Sequence, residues 1–269
     1  MFEKIVTSSE YVMSNSKYVK INYDKLNNFI NDIEYNDLKN WLMYNSYGLL
    51  DLDIEKIVNF LLLFESILYS FWGEPKWTVE TEEGPKDGSD ALLYCMVKYV
   101  RETGNVDFSN MSLTDFKSML KGNVDIPLLE DRYKTVVQIS KIVNEKMNGS
   151  FYEYIKDVTT DKELFDIIVT NFETFKDERT YAGKTIYFYK LAQLLTSDIL
   201  HIREELENIK VDYSNLVGCA DYRIPQTLRA LEIVNYNEEL ANLNDFLFLY
   251  SKKVKDIAKP YHLCRNTNY

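Results

Sequence analysis

Cysteine, histidine, proline and glycine are all scarce in this 269-residue sequence, with 3, 2, 5 and 9 copies. The cysteines, Cys95, Cys219 and Cys264, are odd in number and far apart, so no disulfide framework is expected and a reducing compartment is indicated. With only His201 and His262 beside them, no zinc-type spacing arises, and neither a metal nor a cofactor is expected. Few glycines and prolines exclude collagen-like and linker-rich architectures. Positive charge is also in deficit. Against 42 Asp+Glu stand 31 Lys+Arg, a net charge of −11 that opposes attraction to a polyanion, so nucleic acid is not an expected partner. Long apolar runs are missing too. The greasiest stretch, 57–72, is interrupted by Asn59 and Glu65 and is too short to cross a bilayer. The opening segment, Met1 to Glu10, lacks the basic and apolar regions of a secretion signal. A cytoplasmic protein without a membrane partner is expected.

What is present is a core-forming composition. Hydrophobic residues make up 46% and charged residues 27%, which excludes a disordered chain. At this length roughly 70–75% of the unfolded surface can be buried, and one large domain over 1–269 or two intimate ones are expected. Helical spacing dominates. Leu26, Phe29, Ile30 and Ile33 follow Asp24, a candidate N-cap. A buried helix is predicted from Ile54 to about Phe71-Trp72, and another over 91–100, entered through Asp87-Gly-Ser-Asp90 and stopped near Gly104. Further helices are predicted at 112–120, 128–147, 161–175, 185–208, 225–232 and 237–257. One segment alternates instead: Trp77 to Glu83, turning at Gly84-Pro85, predicts a small β-hairpin near 76–86. No βαβ alternation appears, so the fold class is mainly α with a small β excursion.

Two stretches carry candidate chemistry. In Asp177 to Lys190, Gly183-Lys184-Thr185 has the tail of a P-loop, but Glu178 stands where that loop needs its first glycine. A glycine and a lysine at a helix start remain, where free N–H groups and the positive dipole end can take a phosphate. Lys184 can equally be a solvated surface lysine. Lys190, set among Tyr187, Phe188, Tyr189 and Leu191, either snorkels to water or pairs with a buried carboxylate. Asp198 and His201 read as polar-face residues. In Gly218 to Arg229, Pro225 suits a helix start, and Asp221 ahead of it either caps that helix or faces a ligand. Arg223 can fork onto a carboxylate or phosphate, or pair locally with Asp221. Cys219, with no histidine near it in sequence, reads as a small buried residue.

These residues resemble the queuosine salvage proteins, the queuosine 5'-phosphate N-glycosylases. The first carrier is Ala220-Asp-Tyr-Arg-Ile-Pro-Gln-Thr-Leu-Arg229, similar to the family's A-D-Y-R-[VI]-P-Q-x-L-R. The second is Asp177-Glu to Leu195, similar to D-E-x-x-[FY]-x-G-K-x-x-x-[FY]-x-K-R-A-Q. Weaker echoes are Ser16 to Ile21, Phe71-Trp72 and Asp87 to Leu93. The resemblance implies a single helical globule akin to the helix-hairpin-helix DNA glycosylases. It further implies hydrolysis of queuosine 5'-monophosphate to queuine and ribose 5-phosphate, a small-molecule partner. Asp221 is implied as the catalytic carboxylate, stabilising a ribose that turns cationic, with Lys190 in the same site. Lys184 and Arg223 are expected on the phosphate. Queuine carries a secondary amine, cationic near neutral pH, for which Glu65, Asp90, Asp177 and Glu178 are the acidic candidates. Phe71, Trp72, Tyr181 and Tyr222 are candidate stacking surfaces.

Three departures stand out. Leu191 replaces a frequent arginine, Leu49-Leu50 stands where a histidine is frequent, and the sequence ends at Tyr269 without the family's E-x-E-I-R helix. Hydrolysis of the free nucleoside, or queuine binding without catalysis, are the readings to be separated from the leading one.

Overall fold

A computed structural model of the chain describes residues 1–32, 40–221 and 223–243. It is mainly helical, and it divides into two compact units. The first comprises Met1–Phe2, Lys39–Asp177 and Tyr189–Cys219; the second comprises Glu3–Leu38, Glu178–Phe188 and Ala220–Tyr269.

The first unit is organised around α3 (Ile54–Ser66), in which every residue from Ile57 to Ser66 is buried. A helix apolar on all sides belongs at the centre of a core rather than at its surface. Asp53 caps it by accepting the Lys56 N–H. Against it pack α4 (Gly88–Thr103), α6 (Leu129–Lys146), α7 (Phe151–Ile155) and α9 (Lys190–Glu207). The short α5 (Leu113–Met119) lies on α4 and α6, and α8 (Asp161–Asn171) on α9. The predicted stop of α4 is present: Gly104 adopts φ +69° and its N–H donates to the Val100 carbonyl at 2.7 Å. The predicted hairpin is also present, as β2 (Thr78–Thr81) antiparallel to β3 (Gly84–Asp87), but its turn is Glu82-Glu83 and not Gly84-Pro85, which pair with Thr81 and Glu80 as the opening of β3. Trp77 at its foot is buried, donating Nε1–H to the Leu120 carbonyl at 3.3 Å. Gly122 permits that approach, because a Cβ there would lie 2.4 Å from the Thr78 carbonyl oxygen.

Two buried arginines stitch loops to helices in this unit. Arg132 of α6 donates to the carbonyls of Pro127, Ile67, Tyr69 and Ser70. Its guanidinium also lies over the Tyr69 and Phe71 rings, at 4.6 and 4.7 Å. The predicted extension of α3 to Phe71-Trp72 is therefore corrected. The helix ends at Ser66, because the carbonyls that would continue it point at Arg132 and Ser70 turns left-handed at φ +43°. Arg203 of α9 likewise donates to the carbonyls of Ile155, Lys156 and Val158 and to Glu207.

The second unit holds most of α1 (Phe2–Asn15), the helix α2 (Tyr23–Asp32), and α10 (Arg223–Ala230). It also has two small antiparallel pairs, β1 (Val19–Ile21) with β6 (Val234–Tyr236), and β4 (Glu178–Tyr181) with β5 (Lys184–Tyr187). The cap of α2 is Asn22, which accepts the Lys25 N–H at 3.1 Å, and not Asp24, which lies inside the first turn. The helix predicted from 185 begins only at Lys190; residues 178–187 form a hairpin instead. Its two-residue turn, Ala182-Gly183, has φ of +47° and +79°, the left-handed pair that matches strand twist. Residues 238–243 are helical; the remainder of the helix predicted to 257, like Ile33 and Tyr222, lies outside the described residues.

Candidate active site

In the first unit, α3 and α9 run against one another, and this contact places acids from both helices together. Glu65, one residue before the end of α3, is 0% exposed, and Asp198, midway along α9, is 3% exposed. Asp198 accepts the Trp41 indole N–H at 2.7 Å and the Asn40 amide at 3.4 Å. Asn40 and Trp41 enter a short 3-10 turn, Trp41–Tyr44, whose Asn40 cap accepts the Leu42 N–H. Among the described residues neither Glu65 oxygen receives a nitrogen or hydroxyl donor; its hydrogen-bond neighbour is the Asp198 carboxyl. Two ionised carboxylates offer no donor between them, so the pair is joined only when one holds a proton. Burial pushes the Glu65 carboxyl well above the usual carboxylate range, and the Asp198 charge pushes it further, against a partial pull from Lys190. Asp198 is raised as well, by burial, but bonds from Trp41, Glu65 and Asn40 offset this. Of the two acids Glu65 is the one whose proton is held more firmly by its surroundings.

Lys190 opens α9, immediately after Tyr189 at φ +47°. A cation at a helix start opposes the macrodipole, and the Lys190 charge acts on Glu65. Beside Lys190 runs the segment 211–219, which is anchored with care. The buried Asp161 carboxylate accepts the Asn215 and Leu216 N–H groups at 2.7 and 2.9 Å and the Asn215 amide at 3.0 Å. Gln193, also buried, accepts the Val217 N–H at 3.1 Å, and Cys219 Sγ lies 3.8 Å from the Lys190 carbonyl oxygen. Cys219 is half-buried rather than buried.

Of the sequence-predicted residues, Glu65 and Lys190 thus share one electrostatic neighbourhood. The others in this unit lie elsewhere or serve local roles. Asp90 accepts the Tyr47 hydroxyl at 2.7 Å and faces Lys86 at 3.7 Å. Phe71 lies under Arg132, Trp72 is 67% exposed, and the Asp177 carbonyl accepts the Tyr189 N–H. In the second unit, Glu178 pairs across from Tyr187 at the foot of the β4–β5 hairpin. Tyr181 donates its hydroxyl to the Asn15 carbonyl, and Lys184 sits 3.9 Å above the Tyr11 ring. Lys184 therefore opens a strand, and the expected phosphate cradle at a helix N-terminus is not formed there. Asp221 accepts the Arg223 N–H at 2.9 Å through its side chain and the Ile224 N–H at 3.0 Å through its backbone. It caps α10, in which Pro225 is the third residue and not the first, a first-turn place where its missing N–H costs nothing. Asp198 and Trp41 were missed as site residues, because their meeting depends on a contact 157 residues apart in sequence.

The helical unit thus holds a buried carboxyl pair within electrostatic reach of a lysine, a grouping found at functional sites. The sequence pattern of the queuosine salvage proteins matches residues 50–253, and the chain belongs to that family. A relative from Sphaerobacter thermophilus, named queuosine 5'-phosphate N-glycosylase/hydrolase, is 29% identical over 188 residues, 68% of this chain and 58% of the relative. The mouse protein of the same name is 30% identical over 197 residues, 69% of this chain and 58% of its own. The protein of that name from Dictyostelium discoideum is 25% identical over 256 residues, 88% and 75% of the two chains. The match thus spans under two thirds of the first two relatives' length. Among the described residues no helix is long and apolar enough to cross a membrane.

Proposed function

We propose that this protein hydrolyses the N-glycosidic bond of queuosine 5'-monophosphate, releasing queuine and ribose 5-phosphate, as a cytoplasmic enzyme of a single domain akin to helix-hairpin-helix glycosylases. The observation that carries this is the family match over 50–253, inside which both long motifs, 177–195 and 220–229, fall. In the reaction the water oxygen bonds to C1′ and the bond from C1′ to the base nitrogen breaks, its electron pair leaving with the base. The base gains one proton and the water loses one. Positive charge builds on the ribose on the way, so a fixed carboxylate stabilises the transition state more than the ground state. Asp221 is that carboxylate in this proposal, and it also orients or deprotonates the water. At the start of α10 its carboxylate accepts one N–H, from Arg223, and its backbone carbonyl accepts that of Ile224. Lys190 is the second catalytic group. Lys184 and Arg223 meet the phosphate as point charge and fork, without help from a helix start at Lys184. Tyr181, Tyr222, Phe71 and Trp72 are proposed around the base, with Asp177, Glu178, Glu65 and Asp90 as the acids available to its amine.

Asp221→Asn tests the proposal. Base release, followed by mass spectrometry of free queuine, falls by about 10²–10⁴-fold while nucleotide affinity stays near that of the wild type. Retained turnover removes Asp221 from the chemistry. Faster turnover of the unphosphorylated nucleoside than of the 5'-monophosphate removes the phosphate role of Lys184 and Arg223.

A further inference from the structure

Trp41 lies outside the residues the family pattern matches, yet its indole is held more firmly than packing alone requires. The ring is half-buried, tilted against Phe64 at 6.1 Å, and its N–H is fixed on a carboxylate at 2.7 Å. That carboxylate is itself buried against a fully buried second acid that has no nitrogen or hydroxyl donor among the described residues. Burying two carboxyl groups side by side costs several kcal/mol more than a neutral pair of the same shape would. One hydrogen bond to a partly exposed indole returns less than that burial costs, so orienting Trp41 is not a stabilising device. Arrangements that break the rules of polar burial are the ones to read as functional.

We propose that Glu65 and Asp198 hold a single proton between them and, through the indole N–H, set Trp41 as a wall against which the planar pyrrolopyrimidine base of the substrate stacks. This rests on the function proposed above. An indole face suits a flat heterocycle and tolerates its substituents, because every base offers a π-face. The N–H anchor stops the ring from rotating out of the stacking plane, which a phenyl ring at this position could not achieve. The groups that set the charge of the pair are Lys190 and His201 on the same helix as Asp198, and Cys219 and Tyr213 from the segment that follows it. Asp198 and Glu65 are positioning residues, and Trp41 is the one that touches the base.

The test labels the protein with 5-fluorotryptophan and titrates the free base 7-deazaguanine and, separately, queuosine 5'-monophosphate. Of the three tryptophan resonances, the one absent from Trp41→Phe shifts on addition of base, and that of buried Trp77 stays. Trp41→Ala weakens base binding by at least about tenfold, as loss of a stacking face predicts. Asp198→Ala, which removes the acceptor of the indole N–H, binds 7-deazaguanine like Trp41→Ala. Should Trp41→Ala fail to fold, the resonance shift in the unmutated protein still decides. A Trp41 resonance that is unmoved while base is bound overturns the inference. Base binding that moves Trp41 without release of base from the nucleotide overturns the proposed activity alone. Base release with an unmoved Trp41 overturns the inference alone, and a protein inert in both assays overturns both.

Discussion

Arg203 and Glu65 are both buried charged residues in the helical unit built on α3, and their surroundings treat them in opposite ways. Arg203 donates to three backbone carbonyls and to Glu207, so its hydrogens are provided for and its charge has a partner at 2.8 Å. Arg132 is similar, with four carbonyls and two aromatic faces around it, although burial without a carboxylate lowers its guanidinium to about 10. Among the described residues Glu65 has no nitrogen or hydroxyl donor, and it sits against a second acid. The first kind of burial ties loops to helices; the second stores a proton. Equal burial therefore does not mean equal purpose, and the difference lies in which hydrogen bonds are complete.

The contrast can be broken first by mutation at Arg203. Arg203→Ala leaves three carbonyls and Glu207 without their donor, and is expected to cost about 3–5 kcal/mol in urea denaturation. A loss below ~1 kcal/mol would mean that its carbonyl bonds are incidental. Glu65 should respond in the other direction, and through pH. An acid whose value is higher folded than unfolded binds more protons when folded. The stability it contributes is full below the unfolded carboxylate range and is lost as pH rises toward the folded value. Wild-type stability is thus expected to fall above about pH 4.5, by up to ~1.4 kcal/mol per pH unit from this group. Glu65→Gln flattens that slope and is at least as stable as the wild type at alkaline pH. An unchanged slope would assign the titration to other groups. Asp198→Ala strands the Trp41 and Asn40 donors and the Glu65 proton, for an expected loss of about 1–3 kcal/mol. The smallest effect belongs to Lys184, on the exposed hairpin of the other unit. Lys184→Ala forfeits a cation–π contact worth about 0.5–1 kcal/mol, and a larger shift in thermal melts would give the hairpin a structural weight its exposure does not suggest.

Much of the helical framework was legible from spacing. The stripes in 54–65, 91–100 and 128–147 lead to α3, α4 and α6, and the alternation from Trp77 leads to the β2–β3 hairpin, although its turn falls two residues before Gly84-Pro85. The second hairpin was not. Residues 178–187 carry large apolar side chains close enough to the Lys190 helix to read as its beginning, and Gly183-Lys184 looks like a helix start. A two-residue turn with glycine second, between Thr-Tyr and Lys-Thr-Ile, was the signal that could have found it. Of the site, Asp221 and Lys190 stand inside recognisable motifs, while Trp41 and Asp198 carry no local signature at all. Asp198 looks like any polar residue of an amphipathic helix until α3 lays Glu65 against it. The end of α3 was similarly hidden, since the arginine that captures its continuing carbonyls lies 65 residues away.

Isotope-edited infrared spectroscopy of the carboxyl groups near neutral pH reaches the central assignment without relying on activity. A protonated carboxylic acid band that persists there in the wild type and vanishes in Glu65→Gln is the expected result. A spectrum with only ionised carboxylates at that pH would contradict the shared proton, and with it the account of how Trp41 is held.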